Sequence, residues 1–372
     1  MKMECFKLKR KFKDNKIIKK QITVMNVILR ISSIFSFLFL LSNYNSFAQI
    51  KDNYTNQIDS LIKVTEPKFN GVILITQKGK TLYNKAYGFT NFETKKPLQL
   101  DSQFEIMSNT RQITAVLILK EVEKGLIDLK APIKRYLPEL KQTWADSVTV
   151  HQLLNHTHGI VDLEKPLLFK PGTEFKYGNL SYSLLGKIIE TTSKKSYSEI
   201  VNAFFKELKM KNTFCYSKDK MTDVVSGHIN TNNIFEKVTK SVITPESTAS
   251  NGIISTAGDL AIWNQNLHHG KLLKSESYQL MFKYNITAQH GFFGKEKEGY
   301  GLGIRIIEKD AIKYVGHTGL GDGFSSVNIY FPENDLSMIV LENQSNDNMD
   351  LFYASEIKIR AILFKSDLFH QK

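Results

Sequence analysis

Hydrophobic and polar positions change period twice along the chain. Residues 50–66 place Ile58, Leu61, Ile62 and Val64 at helical spacing. Gly71–Gln77 and Thr81–Tyr87 are β-rich runs on either side of Lys78-Gly79-Lys80, the pattern of a hairpin. Residues 88–103 read as loop. From residue 112 to about 240 the periods are mostly helical. Ile113, Val116, Leu117 and Val122 mark an amphipathic helix closed by Gly125, and Pro132 and Pro138 break the chain behind it. Val150–Leu154 forms a short helix, Leu180–Thr192 carries Leu184, Leu185, Ile188 and Ile189, and Tyr197–Leu208 is a further helix. Thr256 with Asp259 resembles a capping box ahead of Leu260, Ile262, Trp263 and Leu267.

The last third returns to strands at Tyr300–Ile307, Ala311–Val315, Phe324–Phe331 and Leu336–Leu341, with Pro332–Asp335 as the turn between the last two. A final helix is predicted from Met349 to Phe364. Strands at both ends with helices between them predict an α/β chain of the α+β type. One antiparallel sheet is flanked by helices, and an all-helical lobe, about residues 106–240, is inserted in the middle.

Composition changes this picture at the N-terminus. The chain of 372 residues is 42% hydrophobic with a formal charge of +13. Residues 1–48 hold ten Lys/Arg and two acids, which leaves forty basic against thirty-five acidic residues, a net +5, in the rest. The basicity belongs to the leader, and no basic stripe with interleaved aromatics remains to bind nucleic acid. After the basic stretch from Lys7 to Arg30, the apolar run Ile31–Ser42 is too short to span a bilayer comfortably. Ser46 and Ala48 stand at −3 and −1 of a cleavage site before Gln49, so residues 1–48 read as a secretory signal and 49–372 as the mature domain. Met25 is an alternative start that gives a leader of conventional length. The expected location is periplasmic or secreted, with membrane attachment only if the leader stays uncleaved. Cys5 leaves with the leader and Cys215 stays alone, so no intramolecular disulfide is expected. His156/His158 and His268/His269 are pairs without further ligands in sequence, and neither metal nor cofactor is expected.

The chemistry concentrates at Ser108-Asn109-Thr110-Arg111. Ser108 precedes a predicted helix and shares a face with Arg111 one turn later. Its hydroxyl lies near the positive end of the helix dipole, which favours developing negative charge. The competing reading is a helix cap. Two further motifs follow. Tyr177-Gly178-Asn179 opens the 180–192 helix, its Tyr and Asn able to point into one cleft, and His317-Thr318-Gly319 follows Val315 at the end of a strand.

Together and in this order, the three motifs resemble the serine β-lactamase and penicillin-binding-protein superfamily, closest to its class C β-lactamase, D-alanyl-D-alanine carboxypeptidase and esterase branch. That branch reads Ser-x-x-Lys, then Tyr-x-Asn, then Lys- or His-Thr-Gly. Leu153–Ile160 is similar to its Leu-Leu-x-His-Thr-Ser-Gly-Ile with His158 in place of Ser, and Ser183–Gly186, Ser250–Leu260 and Tyr300–Gly303 add to the likeness, which covers about residues 55–365.

The resemblance implies Ser108 as nucleophile, Tyr177 as its base, Asn179 orienting a substrate amide, and the backbone N–H groups of Ser108 and Leu320 as an oxyanion hole. Thr318 and Gly319 are implied to line the substrate strand. The departure is Arg111 where the family has lysine. A lysine loses its proton when desolvated and serves as a base; an arginine stays protonated. One account keeps turnover, with Arg111 and a protonated His317 favouring a Tyr177 phenolate. The other leaves a catalytically impaired pocket for peptidoglycan-like peptides, Arg111 pairing with a ligand carboxylate. Either way the expected partner is a small molecule or peptide, including peptidoglycan-derived ones. Arg305 reads as a solvated strand charge, His156 and His158 as turn residues, and Trp263 as core. The pocket walls fall in residues 215–250 and 284–299.

Overall fold

The computed structural model describes residues 53–286, 298–309, 312–346, 348 and 351–370. The expected leader, its cleavage point and Met25 lie outside the described residues. In chain order the principal elements are α1 (Tyr54–Val64), β1 (Gly71–Gln77), β2 (Lys80–Tyr87), α2 (Thr110–Glu123), α3 (Val150–Leu154), α4 (Leu180–Ser193) and α5 (Tyr197–Glu207). They continue as α6 (Ala257–His268), β3 (Gly299–Tyr300), β4 (Arg305–Lys309), β5 (Ile312–Gly321), β6 (Phe324–Phe331), β7 (Leu336–Glu342) and α7 (Ala354–Phe364). The strands form a seven-stranded sheet in the order β3-β4-β5-β6-β7-β1-β2, antiparallel at every step.

The sheet is apolar on both faces, as the near-continuous run of β1 requires. Ile73 and Ile75 pack with Val327, Ile329, Met338 and Val340 against α1 and α7. Val72 and Leu74 point the other way, joining Ile339 and Leu341 in the larger core that includes α2, α4 and α6. Strand β1 reaches its β7 neighbour from the far end of the sequence, with Ile73 opposite Val340.

Three expectations are corrected. The first helix of the lobe is not amphipathic: every residue of α2 from Thr110 to Leu119 is buried, and so is Glu121. It runs between the sheet and the helical layer, and its polar side chains find partners on the elements packed around it, among them Ser250, Asn179, Ala249, Ile253 and Trp263. Second, the lobe is helical only to Glu207. Beyond it, His228–Thr231 and Ile234–Lys237 pair as a hairpin, and Phe214–Cys215 and Phe104–Glu105 flank Ile253–Ser255 in a three-stranded sheet. The hairpin turn, Asn232-Asn233, is left-handed at both residues (φ 53° and 65°), the geometry of a tight two-residue β-turn. Third, the run expected as one strand over Tyr300–Ile307 is broken into β3 and β4. Gly303 turns there with φ 71°, where a Cβ would lie 2.7 Å from the Ala115 Cβ and 2.8 Å from the Arg111 carbonyl oxygen. Among the described residues no helix is long and apolar enough to cross a membrane.

Candidate active site

Ser108 sits in a single 3₁₀ turn, Met107–Asn109, that runs straight into α2. Its side chain caps nothing, and among the described residues its hydroxyl has no hydrogen-bond partner. It is half-buried, unlike Met107 and Asn109 on either side. Met107 holds φ 48°, a left-handed conformation costly for a side chain of its size, so the surrounding structure must enforce it. The enforcing contacts form a buried polar chain. Trp263 Nε1 donates to Gln112 Oε1 (3.2 Å), Gln112 Nε2 to Asn109 Oδ1 (3.0 Å), Asn109 Nδ2 to Ser326 Oγ (2.8 Å), and Ser326 Oγ to the Ile106 carbonyl (2.7 Å). Trp263 is core, as read from sequence, but its N–H also anchors this chain. Sequence reasoning passed over Asn109, Gln112 and Ser326. The one available signal was a polar run, Asn109 to Gln112, inside what becomes a buried helix.

Arg111 is fully buried. Its Nη1 donates to the Ser250 carbonyl (3.1 Å) and its Nη2 to Asn179 Oδ1 (2.5 Å), while Nε has no partner. The guanidinium lies 4.5 Å from the centre of the Tyr177 ring and 5.4 Å from that of Tyr182. Because arginine only donates, the bond to Asn179 fixes that amide with its oxygen toward Arg111 and its Nδ2 donors turned away, free for a ligand carbonyl. The structure therefore brings Arg111, Tyr177 and Asn179 together.

Strand β5 carries Thr318, Gly319 and Leu320 in its interior; the strand runs on to Gly321 rather than ending near Val315. Gly319 is what lets β5 approach the Ser108 turn. A Cβ there would meet the Ile106 carbonyl oxygen, Ser326 Oγ at 2.5 Å and Met107 Cβ at 2.9 Å. Backbone cannot rotate away as a side chain can. Gly319→Ala is expected to destabilise the fold by about 1–3 kcal/mol in denaturant unfolding, the usual cost of overpacking, and to displace the Ser108 turn.

His317 is fully buried. Its Nδ1 lies 2.6 Å from the Thr318 carbonyl oxygen, which can only accept, so Nδ1 carries the proton. Nε2 then accepts from the Tyr300 hydroxyl at 3.0 Å. Burial above all, then the nearby Arg305 and Arg111 charges, holds its pKa well below the ordinary histidine value. The expectation of a protonated His317 is thus overturned: it is neutral, with both ring nitrogens engaged, and braces strand β5. His156, also buried and neutral for the same reasons, packs its ring 4.5 Å from that of Tyr177 and takes a hydrogen bond with Ser181 Oγ (3.1 Å). His158 Nδ1 accepts from the Ile160 N–H (2.9 Å), which fixes the turn. Arg305 is not solvated. It is buried, 3.6 Å from Glu298 Oε2, with its guanidinium 5.5 Å from the Tyr177 ring centre. Two arginines therefore flank Tyr177. Among the described residues no cluster of three or more His, Cys, Asp or Glu side chains could hold a metal.

A serine at the head of a buried helix, beside the third strand of an antiparallel sheet, with a Tyr-x-Asn loop held to that helix through Arg111, is the arrangement of the β-lactamase and penicillin-binding-protein superfamily. The chain belongs to the β-lactamase family, which matches residues 63–361. It is 26% identical over 333 residues to Protein flp of Staphylococcus aureus, a match covering 80% of this chain and 65% of flp. The chain thus spans just under two thirds of the curated relatives it matches first. Among solved structures it is similar to the octameric penicillin-binding protein homologue from Pyrococcus abyssi (TM-score 0.72, 28% identity, 83% of this chain and 76% of that one). It also shares the fold of the D-amino acid amidase from Ochrobactrum anthropi SV3 (TM-score 0.74, 20% identity, 86% and 99%).

Proposed function

We propose that this chain is an exported serine hydrolase that cleaves an ester, an amide or a D-amino-acid peptide through an acyl-enzyme at Ser108. The observation that carries the reading is Ser108 itself: half-buried, unbonded, and set by a strained turn beside Gly319 and the Arg111–Asn179 pair. In this reading Ser108 Oγ attacks the substrate carbonyl carbon and its proton passes to the Tyr177 oxygen. Arg111 and Arg305 beside the ring offset the negative charge there. Asn179 Nδ2 holds a substrate carbonyl, and the N–H groups of Ser108 and Leu320 receive the oxyanion. Collapse expels the alcohol or amine, which takes the proton back from Tyr177. Water then attacks the acyl ester as Tyr177 takes its proton; collapse breaks the ester bond to Ser108 Oγ, which takes that proton back from Tyr177 as the acid leaves. The basic, apolar and small-residue segments of residues 1–48 support export.

A second reading is favoured by one feature: both Nη atoms of Arg111 are bound, and the group cannot accept a proton. In it the pocket retains peptidoglycan-like peptides without turnover. Mass spectrometry after incubation with a fluorophosphonate and, separately, a penicillin probe separates the two. Wild type is expected to gain one adduct on Ser108 that is absent in Ser108→Ala. An adduct that survives Ser108→Ala would refute the nucleophile. Muropeptide binding without an adduct would favour the second reading.

A further inference from the structure

A cavity lies between the strand that leads into Ser108 and the β5–β6 turn. It measures about 290 Å³, the lower end of the range that holds a small organic ligand. Two carboxyl groups from different elements line it, Glu105 from the Phe104–Glu105 strand and Asp322 from the turn. Met221, Val225 and Phe324 supply apolar wall. Lys237 also lines the cavity, but it is exposed and forms no ion pair with either carboxyl among the described residues.

Glu105 is the unusual member. It is only 5% exposed, and its Oε2 is shut off from solvent with no hydrogen-bond partner. A buried, unpartnered carboxyl oxygen is costly, and native proteins rarely keep one without a reason. Asp322 Oδ2 accepts from the Ser241 hydroxyl (2.9 Å) and the Val242 N–H (2.6 Å), which anchors that carboxyl in the cavity wall. We infer that this cavity is a binding site for a primary alkylammonium group, the cation set between Glu105 and Asp322 and its carbon chain along Met221, Val225 and Phe324.

The wall chemistry selects this ligand over a metal ion. Hydroxyl side chains of Ser226, Thr239 and Ser241 line the cavity too, but no group of three or more His, Cys, Asp or Glu that could hold a metal ion occurs among the described residues, and the volume exceeds what a bare ion fills. Burial first, and the Asp322 charge second, push the Glu105 pKa up to about 8 in the empty cavity. An entering cation offsets both by pairing with the ionised carboxyls, against the cost of its own desolvation. The inference is independent of hydrolysis at Ser108.

Two sources supply an alkylammonium, a free amine or a lysine side chain, and the probes separate them. Calorimetric titration of the purified protein at pH 8 with n-butylammonium and with Nα-acetyl-lysine N-methylamide is compared with n-butanol, which has the chain but no charge. Both probes are still cationic at that pH. At least one amine is expected to bind and n-butanol is not; the amine that binds identifies the source. Glu105→Gln and Asp322→Asn are each expected to weaken that binding about tenfold or more, as loss of a charge-assisted contact does, with the circular dichroism of both unchanged. Failure of both amines on wild type, equal binding of n-butanol, or full amine affinity in both variants would overturn the site.

Discussion

Arg111→Lys is expected to speed acylation of Ser108 by about 10²–10⁴, the contribution of a positioned proton-transfer partner. The side chain is fully buried, and the Arg305 guanidinium lies 5.5 Å from the centre of the same Tyr177 ring. A lysine introduced there loses solvation and faces a like charge, and both effects favour the neutral amine. A neutral amine accepts a proton, which the guanidinium does not. The exchange also has a cost. Arg111 spans the Ser250 carbonyl and Asn179 Oδ1 with separate nitrogens, and one ammonium cannot reproduce that fork. A loss of about 1–3 kcal/mol in denaturant unfolding should accompany the faster chemistry. Rates of fluorophosphonate labelling of the two proteins, followed by mass spectrometry, decide the matter. An unchanged or slower rate in a folded Arg111→Lys protein would show that the arginine is no obstacle to proton transfer.

Glu105→Gln is expected to stabilise the protein, and to do so only at neutral and alkaline pH. The Glu105 carboxyl has an ordinary value of 4.5 unfolded and about 8 folded. Between those values the folded state holds a proton that the unfolded state has released, so stability falls as pH rises from about 4.5 to about 8. Below that window both states are protonated and nothing is lost. Glutamine has no proton to lose, so the variant escapes the penalty, which reaches about 5 kcal/mol above pH 8. Denaturant unfolding at pH 4.5 and pH 8.5 should show the two proteins alike at the lower pH and the variant ahead at the higher. Glu342 and Glu356, whose values burial also raises, remain in both proteins and cancel in the comparison. A site that binds cations at the expense of stability without them is the kind that this difference marks.

The order of elements was legible in the sequence because the strands and most helices carry strong periods. The α3 helix lies where the pattern put it, and the β1–β2 hairpin follows from a Gly-containing turn between apolar runs. Local pattern failed where a side chain's partner is distant. Thr110, Arg111, Gln112 and Thr114 look like a solvent face, but Thr114 Oγ1 donates to the Ala249 carbonyl (2.7 Å) and Arg111 reaches Ser250 and Asn179. Arg305 looked solvated because its partner Glu298 lies in a segment whose path no periodicity reveals. The charge state of His317 could not be read either, since it depends first on burial and then on two arginines 206 and 12 residues away in sequence. The hairpin at Asn232-Asn233 did have a signal, two adjacent residues tolerant of positive φ between short β-rich runs, and it was outweighed by the helical context.

The pairing of β1 with β7 sets Gly71 opposite Glu342 and Gln77 opposite Leu336. That makes the β1–β2 end of the sheet depend on contacts spanning most of the sequence. Chains dominated by such distant pairings fold slowly, because the entropy of closing the loop is lost before the contact is gained. On a ribosome, the β1–β2 hairpin therefore waits for Leu336–Glu342 to be synthesised before it can join the rest. Until then its apolar strand stays open, and keeping it from other chains is a task for whatever escorts the nascent polypeptide.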